Sequence, residues 1–159
     1  MNGLDLLNYL KRFLKDTDVR LFCSDQVWDK PPTNKAFFVY NTDYCTGIGE
    51  HYVSLAITGN NVKYFDSLGF PPMPKHLKLF KMYGLTLQES SFRMLQNPIT
   101  PTCGYFTICW AVWWYYGFSI KQFCNHFAIP SDINDAAIVN YFKQLPKLLE
   151  NGHSRQIHT

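Results

Sequence analysis

The chain has 159 residues, 47% of them hydrophobic and 17% charged; the length suits one domain, and the composition excludes a disordered chain. Its net charge of +3 permits contact with nucleic acid or an acidic protein but is too small to argue for either. Five cysteines, Cys23, Cys45, Cys103, Cys109 and Cys124, are odd in number and irregular in spacing, which argues against a disulfide framework. With an N-terminus that does not read as a signal peptide, they predict a reducing, intracellular setting rather than secretion.

In chain order, Leu6, Leu7, Leu10 and Leu14 form one stripe of an amphipathic helix over residues 4–14. Short strands are predicted at Val19–Phe22 and Ala36–Thr42. "HYVSLAI" and "VKYFDSL" flank the turn "TGNN" and predict a hairpin. "PKHLKLFKMYG" predicts a short helix closed by Gly84, and "SFRMLQ" a further strand. The segment from Gly104 to Ile120 carries no charge and sits at the short limit for a membrane span, with Gly117 interrupting it. An apolar segment and an amphipathic helix follow at once, so a buried helix from about Pro101 to Gly117 is expected, and no membrane. "SIKQFCNHF" and "DAAIVNYFKQL" predict two more helices, and Pro146 should disturb any continuation. Residues 1–159 form one unit in this reading, with 150–159 a mobile tail. Strands in the middle and helices at both ends define an α+β fold, a central mixed sheet flanked by helices.

Within that frame four residues stand out. If Ile57 pairs with Val62 across the turn, Asp66 faces Val53. His51, two residues before Val53, then becomes the diagonal neighbour of Asp66. A carboxylate so placed fixes the tautomer of an imidazole and stabilises its cation. The same face carries Val53, Leu55, Ile57, Val62 and Tyr64, and the buried helix is the expected cover. Cys103 begins that helix, where the positive end of the helix dipole favours a thiolate. Thr100 or Thr102 is the expected cap, and Gly104 leaves room beside the sulfur for a substrate backbone. The Cys103 N–H and the Gln96 amide, brought together by the turn-rich "NPITPT", supply two donors for an oxyanion. Each feature alone has a plainer explanation: a packing cysteine, a surface histidine, a turn-forming Asp66, a polar strand end at Gln96. Their joint arrangement is what points to nucleophilic catalysis. Zinc bound by Cys103, Cys109, Cys124 and His126 does not fit the paired spacing of structural sites, so neither metal nor cofactor is expected.

"GEHYVSLAI", "YFDSLG" and "LQNPITPTCGYF", with "FCSDQV" and "FFVYNTDYCTG" before them, resemble the adenovirus-type (adenain-like) cysteine proteases and their relatives in Maverick or Polinton-type elements. The resemblance covers residues 19–127. It implies a papain-like clan CE fold with His51 as general base, Asp66 as its orienting acid, Cys103 as nucleophile and Gln96 in the oxyanion hole. It also implies a monomeric endopeptidase that matures structural precursor polypeptides at glycine-containing sites, in the virion or in the host nucleus or cytoplasm. Three departures stand out. Tyr52 replaces the tryptophan common after the catalytic histidine, and Asp66 stands where adenovirus enzymes have glutamate. No cysteine lies between Asp66 and Cys103 to take a disulfide-linked activating peptide. DNA, the other activator of the adenovirus enzyme, finds only the helix lysines Lys75, Lys78 and Lys81, which read as a solvated face. The alternatives are a deubiquitinase or SUMO-type isopeptidase, an acyltransferase on the same triad, and a non-catalytic binding module.

Overall fold

The computed structural model describes residues 1–47, 51–129 and 131–150. The expected tail, apart from Glu150, lies outside the described residues, as do Gly49 and Glu50 of the histidine motif. Five strands pair in sequence order: β1 (Asp18–Phe22), β2 (Lys35–Asn41), β3 (Tyr52–Thr58), β4 (Asn61–Asp66) and β5 (Thr86–Ser90). The outer pairs β1–β2 and β4–β5 are parallel and the inner pairs antiparallel, so the sheet is mixed. Helices α1 (Gly3–Phe13), α2 (Pro74–Met82), α3 (Cys103–Tyr115), α4 (Ile120–Cys124) and α5 (Asp132–Glu150) complete the α+β architecture.

β2 is the centre of the core. Ala36 to Tyr40 are all fully buried, as expected for a strand covered on both faces, where apolar residues run continuously instead of alternating. The two faces belong to two layers. Phe37, Val39, Ala56 and Phe65 pack beneath α1, α3, α4 and α5. Ala36, Phe38, Tyr40, Val53, Leu55, Ile57, Val62 and Tyr64 pack against Trp28 and against Leu79 and Phe80 of α2. This corrects one expectation. The face carrying Val53, Leu55 and Ile57 is covered by α2, and α3 covers the opposite one. Both faces are apolar, so the pattern alone did not say which helix goes where.

The hairpin has the expected register, Ile57 opposite Val62 and Asp66 opposite Val53. Gly59, at φ +58°, supplies the left-handed residue of its two-residue turn. Two other expectations fail. "SFRMLQ" is not a strand; β5 lies just before it, and residues 91–102 form the loop into α3. Pro146 does not end the last helix, which runs through it to Glu150. No helix among the described residues is long and apolar enough to cross a membrane. α3 meets its apolar demand by burial, with every residue from Phe106 to Trp114 in the core.

Candidate active site

The inward end of the hairpin and the N-terminus of α3 converge at one end of the sheet. Asp66 is the last residue of β4 and His51 immediately precedes β3, so the register that sets Asp66 opposite Val53 brings the two side chains together. His51 Nε2 lies 2.7 Å from Asp66 Oδ1. The Asp66 carboxylate is buried and is held by more than the histidine. The same Oδ1 accepts the Leu68 N–H at 2.8 Å, and the Asp66 N–H donates to Ser91 Oγ at 2.9 Å. The Cys103 thiol lies beside the same imidazole, near enough for each group to shift the other's titration.

The electrostatics follow from this geometry. Burial opposes the imidazolium, but the hydrogen bonds to Asp66 and Cys103 and their negative charges outweigh it, and the His51 pKa rises to about 9. Burial likewise opposes the Cys103 thiolate. The hydrogen bond and charge of His51, with the backbone N–H groups of Tyr52 and Gly104, prevail and lower the thiol's pKa. The resting pair is therefore biased toward thiolate and imidazolium. Cys109 and Cys124 lack such partners, and burial raises both, Cys124 to about 12.

No side chain caps α3. Thr102 Oγ1 instead donates to Asp135 Oδ1 of α5, and Thr100 Oγ1 to the Asn97 carbonyl at 2.8 Å. The expected threonine cap is thus replaced by an open helix start, and its N–H groups stay available to the sulfur and to an anion beside it. Asp135 also accepts the Asn97 N–H through Oδ2 at 3.1 Å, and Asn134 donates to the Leu95 carbonyl at 3.1 Å. The first turn of α5 thereby clamps the loop that leads to Cys103.

Gln96 is buried beside this loop. Its Nε2 donates to the Thr100 carbonyl at 2.6 Å, and its Oε1 accepts from Ser67 Oγ at 2.6 Å. Gln96, His51, Tyr52, Cys103 and Gly104 line one cleft of about 590 Å³. The structure thus brings all four predicted residues to a single place. Gly104 faces this cleft beside Cys103. A side chain there would meet the Met1 thioether at 3.3 Å, so the N-terminal segment bounds the space that the glycine leaves.

Sequence reasoning missed Ser67, Ser91 and Asp135, and it missed a disulfide. Cys23, just after β1, is bonded to Cys45 in the β2–β3 connection, with Cα atoms 5.1 Å apart, and both line the cleft. The expectation that the cysteines form no disulfide is therefore corrected for this pair; Cys103, Cys109 and Cys124 are free. Ser67 had a signal in its position directly after Asp66, but a serine there also reads as a turn former. Cys23 and Cys45 had only their nearness to the cleft motifs. Among the described residues, the one group with metal-ligand proximity is Cys23, Asp25 and Cys45, and its two sulfurs are consumed by the disulfide.

No protein-family model and no curated protein sequence matches the chain. Among solved structures it is similar to the ASFV pS273R protease, at 20% identity and a TM-score of 0.44 over 69% of this chain and 44% of that one. Similarity to the SUMO protease Ulp1 is 11% identity, TM-score 0.45, over 74% of this chain and 67% of that one. For ChlaDub1 from Chlamydia trachomatis the values are 18%, 0.46, 70% and 62%. The chain spans less than half the length of the ASFV enzyme. Likeness at this level assigns no activity, and the chemistry has to be argued from the site.

Proposed function

We propose that the chain is a cysteine endopeptidase of the papain-like clan CE type, cutting structural precursor polypeptides of a virus or mobile element at glycine-containing sites. The observation that carries this is the Asp66–His51 hydrogen bond in the same cleft as Cys103, at the open start of α3, and the Gln96 amide. The class of substrate and the glycine preference come from the motif resemblance; the mechanism comes from the geometry.

With His51 raised and Cys103 lowered, the resting pair is biased toward imidazolium and thiolate, and in that form the histidine enters catalysis as an acid. The thiolate attacks the scissile carbonyl carbon. The carbonyl oxygen takes the negative charge and is held by the Cys103 N–H and by the Gln96 amide hydrogen that Thr100 does not use. His51 then protonates the departing amine and a thioester remains on Cys103. Neutral His51 next takes a proton from water, the hydroxide attacks the thioester, and the acid product leaves with the ion pair restored. Asp66 keeps the ring oriented throughout and stabilises its cation.

An activating peptide linked by a disulfide has no place in this scheme. Cys23 and Cys45 hold each other, Cys109 and Cys124 are buried, and Cys103 is the nucleophile. The Lys75 ammonium is spent on Ser24, through its carbonyl at 2.7 Å and its hydroxyl at 2.9 Å, which weakens the α2 lysines as a DNA contact. A monomer within the virion, nucleus or cytoplasm is the setting the motif resemblance supports; the Cys23–Cys45 disulfide withdraws the cysteine pattern as support for a reducing one. Incubation with capsid precursors and with ubiquitin-like fusions, followed by mass spectrometry of new termini, tests the proposal. New termini after glycine-containing sites in the precursors, absent with Cys103→Ala, are expected. Cleavage of the fusions alone would make the chain an isopeptidase, and no cleavage of either would leave it a binding module.

A further inference from the structure

Ser67 directs both of its polar groups at the Gln96 segment. Its carbonyl accepts the backbone N–H groups of Leu95 at 2.8 Å and Gln96 at 3.1 Å. Its hydroxyl contacts Gln96 Oε1 at 2.6 Å, while Gln96 Nε2 contacts the Thr100 carbonyl at 2.6 Å. The orientation of the amide is determined by its partners. A backbone carbonyl can only accept, so the nitrogen must face Thr100. The amide oxygen then faces Ser67, whose hydroxyl has to be the donor. Ser67 is 1% exposed and Gln96 3%, so bulk water cannot replace either bond at little cost.

A carboxamide is planar. Once its oxygen and one N–H are fixed, the plane is fixed, and the second N–H has one direction left. Gln96 lines the cleft with Cys103, so that direction matters to any oxyanion formed there. The backbone supports the same arrangement. Gly69, at φ +78°, lets the chain after Ser67 press on Arg93; a Cβ at Gly69 would stand 2.5 Å from the Arg93 carbonyl carbon. No larger residue fits between the two loops.

We infer that Ser67 is the positioning residue of the oxyanion hole, holding the Gln96 amide with its nitrogen committed to Thr100 and the cleft. Removing the hydroxyl leaves Gln96 Oε1 buried without a donor, and the amide gains freedom to turn its oxygen toward the cleft, where it repels an oxyanion. Adjacent side chains at the end of β4 thus serve the two halves of the site: Asp66 orients His51, and Ser67 orients Gln96. The catalytic consequence rests on the peptidase reading; the orientation of Gln96 does not.

The experiment compares Ser67→Ala, Ser67→Thr, Gln96→Ala and the Ser67→Ala/Gln96→Ala double variant on a peptide that the wild type cleaves. Alkylation of Cys103 by iodoacetamide and the Gln96 side-chain amide resonances are followed in parallel. Losing an oxyanion donor outright costs about 10²–10³ in kcat. Ser67→Ala should lose a substantial part of that, about 10-fold or more, with KM and the alkylation rate nearly unchanged. It should cost nothing further when Gln96 is already alanine, and Ser67→Thr should restore most of the rate. One Gln96 amide proton should be protected from exchange in the wild type and exposed in Ser67→Ala. An unchanged kcat, or an alkylation rate that falls together with kcat, would overturn the inference. If the wild type cleaves no peptide, the peptidase reading fails, and the amide resonances alone decide whether Ser67 holds Gln96. If Ser67→Ala does not fold, Ser67→Cys, similar in size and a weak donor, is judged by the same criteria.

Discussion

His51 and Cys103 share one proton, and each holds the other's charge. A histidine whose pKa is raised from 6.5 to about 9 is a cation stabilised by the fold. That stabilisation is complete below pH 6.5 and is lost as pH rises through about 9. Cys103 is shifted the opposite way, so the ion pair is the main species between the two titrations, whose values belong to the pair. Iodoacetamide should therefore label Cys103 fastest, since Cys109 and Cys124 are raised by burial and Cys23 and Cys45 are joined. Peptide mapping of partially labelled protein checks this; faster labelling of Cys109 or Cys124 would contradict it. The profile of kcat/KM should be bell-shaped with its alkaline limb near pH 9, where the imidazolium that protonates the leaving amine is lost. Asp66→Asn keeps the shape but removes the charge, so it should move that limb to lower pH. His51→Ala and Asp66→Ala should each cost about 10²–10⁴ in turnover. The double variant should resemble the worse single one, because the two residues act as a unit. Additive losses, measured with the same peptide, would separate the two residues.

Elements place this chemistry, and they were legible to different degrees. The hairpin was readable because a two-residue turn with glycine sets the register, and the register puts Asp66 opposite Val53 and beside His51. The open start of α3 was readable from Cys103 following the proline turn, but its lack of a cap was not, since Thr100 and Thr102 both have capping side chains. Asp135 claims Thr102 from far along the chain, and no local pattern announces such a contact. "SFRMLQ" alternates like a strand, yet "TLQES" before it takes the pairing edge on β4, leaving the later segment free to carry Gln96 inward. The disulfide is an element-scale device of the same hidden kind, tying the end of β1 to the β2–β3 connection that leads toward His51. Bridging residues 22 apart stabilises a fold by roughly 3 kcal/mol through the unfolded chain. Cys23→Ser/Cys45→Ser should lower stability by up to about that amount and raise KM more than it lowers kcat, because the cleft wall loosens while the triad remains. Urea melts and steady-state kinetics check both parts. A kcat loss at constant KM would show that the tether acts on the triad instead. Reductant then has two opposed effects, since it keeps Cys103 a thiol and opens this tether.

At the scale of the molecule the two layers differ in what holds them. The α3 side is a continuous apolar core, whereas the α2 side encloses a histidine. His76 is fully buried, with ring centroids 4.7 Å from Tyr40 and 5.6 Å from Tyr64. Neither of its ring nitrogens has a hydrogen-bond partner among the described residues. Burial, and then the charge of neighbouring Lys75, lower its pKa from 6.5 to about 4. The unfolded chain thus binds a proton that the folded chain refuses between those values. Stability from this residue is complete above pH 6.5 and is lost as pH falls toward 4, the opposite sense to His51. The shift corresponds to about 3 kcal/mol in total, of which about 2 is gone by pH 4.5. β4 carries both Tyr64, which packs on His76, and Asp66, so acid should open the α2 layer and take the catalytic acid's support with it. His76→Phe keeps a ring in place and removes the titration. Urea melts at pH 7 and pH 4.5 should show a stability gap about 2 kcal/mol smaller in His76→Phe than in the wild type. Equal gaps in the two proteins would assign the acid sensitivity to the carboxylates and leave His76 as packing alone.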